Sequence, residues 1–139
     1  MVNIQTRRAV EERAKGQCEY CRSLRDYTPD DFSVEHILPR SRAGADALDN
    51  LAWSCQACNN RKHTATQAID PQTGNMAALY HPRQHTWGEH FRWSDDWLTL
   101  IGQTPTGRAT IARLDLNRYN VVNLREVLGP AGKHPPPDD

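Results

Sequence analysis

Two pairs of cysteines constrain the fold of this chain more than any other feature. Each pair has the spacing Cys-x-x-Cys, with Cys18 and Cys21 in the first and Cys55 and Cys58 in the second. In a reducing compartment, such paired elements are more typical of a metal site than of two disulfides. Four thiolates suit a tetrahedral zinc ion in a closed structural site. The sequence therefore predicts a structural Zn²⁺ held by all four cysteines.

Three other interpretations of the cysteines stay open: a redox-active pair, a four-cysteine iron site, and four thiols without a metal. The redox interpretation is the weakest, because no strand, Cys-x-x-Cys and helix follow one another as in a thioredoxin-type unit. The pairs are 33 residues apart, whereas a simple zinc ribbon has about 15 to 20 residues between its pairs. The extra length indicates a further structural unit between the two cysteine pairs.

The segment between the pairs predicts a β-hairpin followed by a helix. Residues 32–37 alternate and are rich in β-forming residues, and Pro39 ends this strand. A turn-rich loop leads to a second short strand, LAWS, which can return antiparallel to the first. A helix over SCQACNNRKHTATQA follows, with Ser54 as its N-cap. Before the first cysteine pair, TRRAVEERAK predicts a short polar helix that ends at Gly16.

After about residue 70 the character of the chain changes. Two short strands are predicted at HFRW and WLTLIG, and two helices at TPTGRATIARLDLN, capped by Thr104 or Thr106, and at NVVNLREVLG. The expected fold class is α+β, in three parts. Residues 1–68 form the core with the N-terminal helix and the zinc knuckles, 69–130 form an extension that packs on it, and 131–139 form a disordered tail.

Composition limits the classes of partner. The 17 basic and 17 acidic residues give no net charge, which argues against coating nucleic acid by bulk charge and restricts any such contact to local clusters. No apolar run approaches the roughly 20 residues that span a membrane, so no membrane partner is expected. The N-terminus lacks the apolar core of a secretion signal, so we expect a cytoplasmic protein.

The stretch VEHILPRSRAGADALDNLAWSCQACNNRKH contains, in order, His36, Asn50, Asn59 and His63. A Glu-His pair precedes Ile-x-Pro, an asparagine precedes leucine, and the second cysteine pair continues as CxxCNxxK. With its flanking cysteines, this pattern resembles the HNH endonuclease family over about residues 15–65. The resemblance implies a ββα-metal (His-Me finger) core, in which a β-hairpin packs on a helix with a divalent ion between them.

The resemblance also implies roles for individual residues. His36 would be the base that takes a proton from water, and Asn50 would hold His36 in orientation. Glu35 and Asn59 would bind one divalent cation, Mg²⁺ or Mn²⁺ with Ni²⁺ as a further candidate, which stabilises the scissile phosphate and the leaving 3′ oxygen. Strand alternation sends Glu35 and His36 to opposite faces, so we expect Glu35 to face the N-terminus of the following helix.

His63 lies four residues after Asn59, so both should share one helix face. Some family members use a histidine at this place as a further metal ligand and others do not, which leaves its role open. Four basic residues flank the motif and are predicted to contact DNA backbone phosphates, with ordinary solvated charge as the alternative. They are Arg40, Arg42, Arg61 and Lys62.

Together these observations predict a metal-dependent DNA endonuclease of the HNH type. The alternatives are a zinc-stapled nucleic-acid-binding module without catalysis, and a four-cysteine iron or redox protein. One site per chain cuts one strand at a time, so cleavage of both strands requires either a homodimer or two separate events. The sequence does not choose between them.

Overall fold

A computed structural model describes residues 2–136 of the chain. Its short helices and strands give a mixed α and β fold. In chain order the elements are α1 (Ile4–Arg13), β1 (Phe32–His36), β2 (Leu51–Cys55), α2 (Gln56–Lys62), β3 (Gln67–Ile69), β4 (Met76–Ala78), α3 (Trp87–His90), β5 (Phe91–Trp93), β6 (Leu100–Gly102), α4 (Pro105–Leu114) and α5 (Tyr119–Leu128). Within residues 2–136 every sheet is an antiparallel pair, namely β1–β2, β3–β4 and β5–β6.

The β1–β2 hairpin lies between two helices. On one face, the Phe32 ring packs against Trp53 with 5.9 Å between ring centroids, and the Arg7 guanidinium of α1 lies 5.0 Å from the Trp53 ring. Trp53 is fully buried, which places this face in the core. The opposite face of β1 carries Ser33 and Glu35, and side chains of α2 reach both residues. The alternation of β1 therefore separates a face that packs toward the core and α1 from a face that contacts α2.

Helix α2 is shorter than predicted and has a different cap. The Sγ atom of Cys55 accepts a hydrogen bond from the Cys58 amide at 3.4 Å, so Cys55, and not Ser54, is the N-cap. The helix ends at Lys62, because His63 has a φ of +52° that a right-handed helix cannot continue. The following residues form β3 instead of further helical turns.

The β3–β4 hairpin reverses direction at the segment DPQTGN. Asp70 accepts hydrogen bonds from the Gln72 amide at 3.0 Å and from the Thr73 hydroxyl at 3.0 Å, which folds the chain back on itself. For α4 the sequence allowed two caps, and the structure has Thr104, whose hydroxyl accepts from the Gly107 amide at 3.0 Å. Local polar side chains thus determine both this chain reversal and this helix start.

One hydrophobic cluster joins the predicted core and extension. It contains Val10 and Trp53 from the first 68 residues, and Leu79, Phe91 and Leu114 from the later part of the chain. The predicted boundary at 68/69 falls inside β3. The two parts therefore share their packing, and neither buries its apolar side chains alone.

The tail was predicted to be disordered over 131–139. In the structure the His134 ring lies 4.6 Å from Trp93 of β5 and Pro136 is buried, so residues 134–136 contact the folded part of the chain. Residues 137–139 lie outside the described residues. Across 2–136, no helix is both long enough and apolar enough to cross a bilayer.

Candidate functional site

The four cysteines meet at one buried point. Cys18 and Cys21 follow α1, while Cys55 ends β2 and Cys58 lies in α2. Their Sγ atoms all lie within 4.8 Å of one another, and Cys21 and Cys55 are 3.8 Å apart. All four are free of disulfide bonds. The cluster can hold a metal ion, and four sulfur ligands in a closed, buried site fit a tetrahedral ion such as zinc.

The two pairs are brought together by backbone contacts as well as by β2. The Cys18 amide donates to the Ser23 carbonyl at 2.8 Å, which closes the first knuckle, and the Glu19 amide donates to the Trp53 carbonyl at 2.9 Å. Burial raises the pKa of the Cys18 thiol, whereas hydrogen bonds from the neighbouring thiols lower the pKa of Cys21. Unequal thiol acidities of this kind are expected where several sulfurs share one buried space.

His36 ends β1, and its side chain is 16% exposed. Its Nε2 atom lies 2.7 Å from Oδ1 of Asp46, and Arg40 donates two hydrogen bonds to the same oxygen, at 3.1 and 3.0 Å. The bonds from His36 and then from Arg40 lower the pKa of Asp46. An ionised carboxylate only accepts, so Nε2 carries the proton and Nδ1 is left as the acceptor. The sequence did not single out Asp46, since an acidic residue in a turn-rich loop is ordinarily solvated.

Asn50 ties the loop after β1 together. Its amide nitrogen donates to the carbonyls of Leu38 at 3.0 Å and Ala45 at 2.9 Å, and its Oδ1 accepts from the Leu38 amide at 2.8 Å. The resemblance implied that Asn50 orients His36. Its side chain contacts the backbone of Leu38 and Ala45 in the loop that carries Asp46, and its role in holding the backbone or ring of His36 stays a prediction.

Glu35 is buried, with 3% of its side chain exposed. One carboxylate oxygen accepts from the Tyr20 hydroxyl, and the other accepts from Lys62 Nζ at 3.0 Å. Lys62 Nζ also donates to the Ile37 carbonyl at 3.0 Å. Burial, and then the Glu35 charge, raise the pKa of Tyr20 well above its usual range.

These contacts correct two predictions. Glu35 faces the last turn of α2, where Lys62 lies, and not the helix N-terminus. The pairing register places Phe32, and not Glu35, beside Cys55, after which α2 begins; Glu35 lies further along the hairpin, opposite Ala52. Lys62 was predicted to contact phosphate, but its side chain is 2% exposed and its ammonium is used inside the protein. A lysine three residues after an exposed-looking Asn59 gives no sequence signal of this burial.

Asn59 and His63 have different surroundings. The Asn59 amide donates to the Ser33 hydroxyl at 3.3 Å. His63 is exposed and lies beyond the end of α2, with its Nδ1 3.3 Å from the Thr64 hydroxyl. His63 is the C-cap of α2 with a positive φ, and its amide still donates to the Asn59 carbonyl at 2.8 Å, so a metal-binding role for the two residues stays a prediction.

The carboxylate of Glu35, which the resemblance implied as an ion ligand, is already engaged on both oxygens. Both oxygens of Glu35 already accept hydrogen bonds, one of them from an ammonium group. A cation at this carboxylate would have to displace Lys62, leaving a second buried positive charge without its partner.

The flanking arginines differ from Lys62. Arg40, Arg42 and Arg61 are exposed. Arg42 donates to the Thr66 hydroxyl at 2.7 Å, and Arg61 lies 4.0 Å from the Asp115 carboxylate. Their contact with phosphate stays a prediction, and their exposure is compatible with it.

A cavity of about 490 Å³ separates the loop after β1 from the later part of the chain. Its walls include Leu38 and Asn50 on one side and Tyr80 and His81 on the other, with Lys62 at its edge. Burial lowers the pKa of His81. Residues from the predicted extension therefore line a space next to the Asn50 loop, a juxtaposition that the sequence did not indicate.

Residues 18–65 match the family model for HNH endonucleases. The match includes both cysteine pairs, β1, β2 and α2, and it agrees with the resemblance to HNH endonucleases predicted from the sequence. The match suggests a nuclease-type function, and nucleic acids are the class of partner on which HNH nucleases act. No curated protein and no solved structure matches the chain.

Proposed function

We propose that this protein is a DNA endonuclease in which His36 activates the attacking water. The observation that carries the proposal is the pair formed by His36 and Asp46 at the end of β1, inside the segment that matches the HNH family. Its hydrogen bond leaves Nδ1 as the proton acceptor, and the partly exposed ring can reach a bound substrate. The order of the β1–β2 hairpin and α2 along the chain is compatible with the ββα core that the resemblance implies.

In the proposed reaction, His36 Nδ1 takes a proton from water as the water oxygen attacks the scissile phosphorus. Asp46 stabilises the imidazolium that forms, because its carboxylate accepts the Nε2 hydrogen throughout. The bond to the 3′ oxygen breaks and that oxygen takes a proton from solvent water, which gives the 5′-phosphate and 3′-hydroxyl products that the resemblance implies. Arg40 lies beside Asp46 and presents an exposed guanidinium, a group that binds phosphate well.

A divalent ion, when bound in this family, neutralises phosphate charge and stabilises the leaving oxygen. Because both carboxylate oxygens of Glu35 accept hydrogen bonds from Tyr20 and Lys62, we assign no step to an ion at this residue. Dependence of the activity on Mg²⁺, Mn²⁺ or Ni²⁺ is a question for the assay.

The test is conversion of supercoiled plasmid to nicked or linear DNA by purified protein, with EDTA and with each of the three metals. His36→Ala is compared with His134→Ala, a control histidine on the tail. We expect His36→Ala to lose about 10² to 10⁴-fold in cleavage rate, the usual contribution of a general base, and the control to cleave like wild type. Equal cleavage by His36→Ala and wild type would refute the role of His36.

The second candidate is a zinc-stapled nucleic-acid-binding module without catalysis. The observation that favours it is the Glu35–Lys62 pair, which occupies the carboxylate that the family would offer to an ion. DNA binding by His36→Ala should persist under both functions. Absence of cleavage by folded, zinc-containing wild-type protein under every metal condition, with DNA binding retained, would select the binding module.

A further inference from the structure

Arg118, at the N-cap of α5, contacts the cysteine cluster directly. Its Nη1 lies 3.6 Å from the Cys58 sulfur, and its Nη2 lies 3.6 Å from the Cys55 sulfur and 3.7 Å from the Cys58 sulfur. These are donor distances expected for N–H groups that face large sulfur acceptors. A residue 60 positions after Cys58 therefore completes the surroundings of the second cysteine pair.

A second arginine from the same helix approaches the first cysteine pair. Arg125 is 3% exposed, and its Nη2 donates to the Cys21 carbonyl at 3.2 Å and to the Leu116 carbonyl at 2.8 Å. Its guanidinium also lies 5.0 Å from the Trp93 ring. Burial lowers the pKa of Arg125 to about 10, and the neighbouring cysteine thiolates oppose this shift.

Neither guanidinium forms an ion pair with a carboxylate within residues 2–136. A buried positive charge without a partner is costly, so the compensating negative charge must be sought elsewhere. A zinc ion with four thiolate ligands is a doubly negative centre. Two guanidinium groups beside it carry an opposite charge of equal magnitude.

We propose that Arg118 and Arg125 are the counter-ions of a four-thiolate zinc centre, so that the zinc site is completed by the C-terminal extension. Arg118 donates hydrogen bonds to the sulfurs, while Arg125 neutralises charge from behind the Cys21 backbone. Loss of zinc would leave the buried Arg125 and the partly buried Arg118 without a negative partner. Docking of α5 onto the core is then weakened, which couples the later half of the chain to the metal.

The first experiment measures zinc release from the purified full chain to a chromogenic chelator, without DNA, so the result is independent of catalysis. Arg118→Met is compared with Arg118→Lys and with Arg92→Met, which replaces an exposed arginine on β5. We expect Arg118→Met to release zinc about 10 to 100-fold faster than wild type, the usual effect of losing a residue that supports metal ligands. Arg118→Lys should release zinc at a rate between those of wild type and Arg118→Met, because lysine keeps the charge but loses the two-pronged contact.

Release of zinc from Arg118→Met at the rate of Arg92→Met would overturn the proposal, and so would wild-type protein that binds no zinc. If Arg118→Met does not fold, hydrogen exchange in wild type decides. We expect the amides of 119–128 to exchange at least about 10-fold faster after zinc is removed, since open states of α5 become more populated. Unchanged protection of α5 in zinc-free protein would overturn the proposal by itself.

Discussion

Replacement of Glu35 by glutamine tests whether this residue is half of a buried ion pair. The pair is almost free of solvent, with 3% of the Glu35 side chain and 2% of the Lys62 side chain exposed, and its oxygen and nitrogen lie 3.0 Å apart. Glutamine has nearly the same shape and can still accept from Tyr20, so the change removes charge with little change in packing. What remains is a buried ammonium without a counter-charge.

Breaking a buried pair by removing one partner costs about 3–5 kcal/mol. At about 4 °C per kcal/mol for a domain of this size, we expect Tm to fall by about 12 to 20 °C. Lys62→Met should cost a similar amount, since it leaves the Glu35 carboxylate buried and the Ile37 carbonyl without its donor. The double variant Glu35→Gln/Lys62→Met should lose only about 1–3 kcal/mol, because no unpaired charge remains and one carbonyl loses a bond.

Urea unfolding and thermal melts of the four proteins measure these differences as a double-mutant cycle. A cost below about 1 kcal/mol for Glu35→Gln would refute the account of Glu35 as a charge-paired core residue. So would a Tm that Mg²⁺ raises in wild type but not in Glu35→Gln, because that result would make the carboxylate an ion ligand despite its contacts with Tyr20 and Lys62.

Three further outcomes are expected. Asn50→Ala should lower the unfolding free energy by about 1–3 kcal/mol in urea, since its hydrogen bonds to Leu38 are lost; no loss would show that the loop holds itself. Gly44→Ala should cost about 1–3 kcal/mol in the same assay, because a Cβ there would lie 1.8 Å from the Leu38 carbonyl oxygen; a neutral change would contradict this packing. The guanidinium of Arg108 lowers the pKa of Asp70, so its contribution is present above the unfolded value of about 3.9 and is lost as pH falls below it. Between pH 5 and pH 3 the free energy of unfolding should fall less for Asp70→Asn than for wild type. An equal fall in the two proteins would refute the pairing of Asp70 with Arg108.

Several features followed from the sequence because they depend on neighbouring residues. Alternation of residues 32–37 predicted β1, which ends one residue earlier, at His36. Thr104 was one of two predicted caps of α4, and a cap needs only the amide three residues further on. The cysteine spacing predicted a shared metal site, since two Cys-x-x-Cys knuckles leave few other ways to satisfy four buried thiols.

Other features depended on how distant segments pack. Lys62 looks like a solvated cation at the end of a polar helix until β1 places Glu35 against it. The end of α2 also escaped prediction, because its helical composition continues beyond Lys62 while the backbone turns at His63. In both cases tertiary contacts outweighed local preference, which is worth only a fraction of a kcal/mol per residue.

The sequence by itself determined the chemistry available: four sulfurs, a histidine at the end of a strand, and an asparagine before the second strand. Only the tertiary structure decided which charges meet. Asp46 reaches His36 across a loop, and Arg118 reaches Cys58 across 60 residues. Buried charges must be neutralised by whatever the fold brings within a few ångströms, and that distance depends on the path of the whole chain.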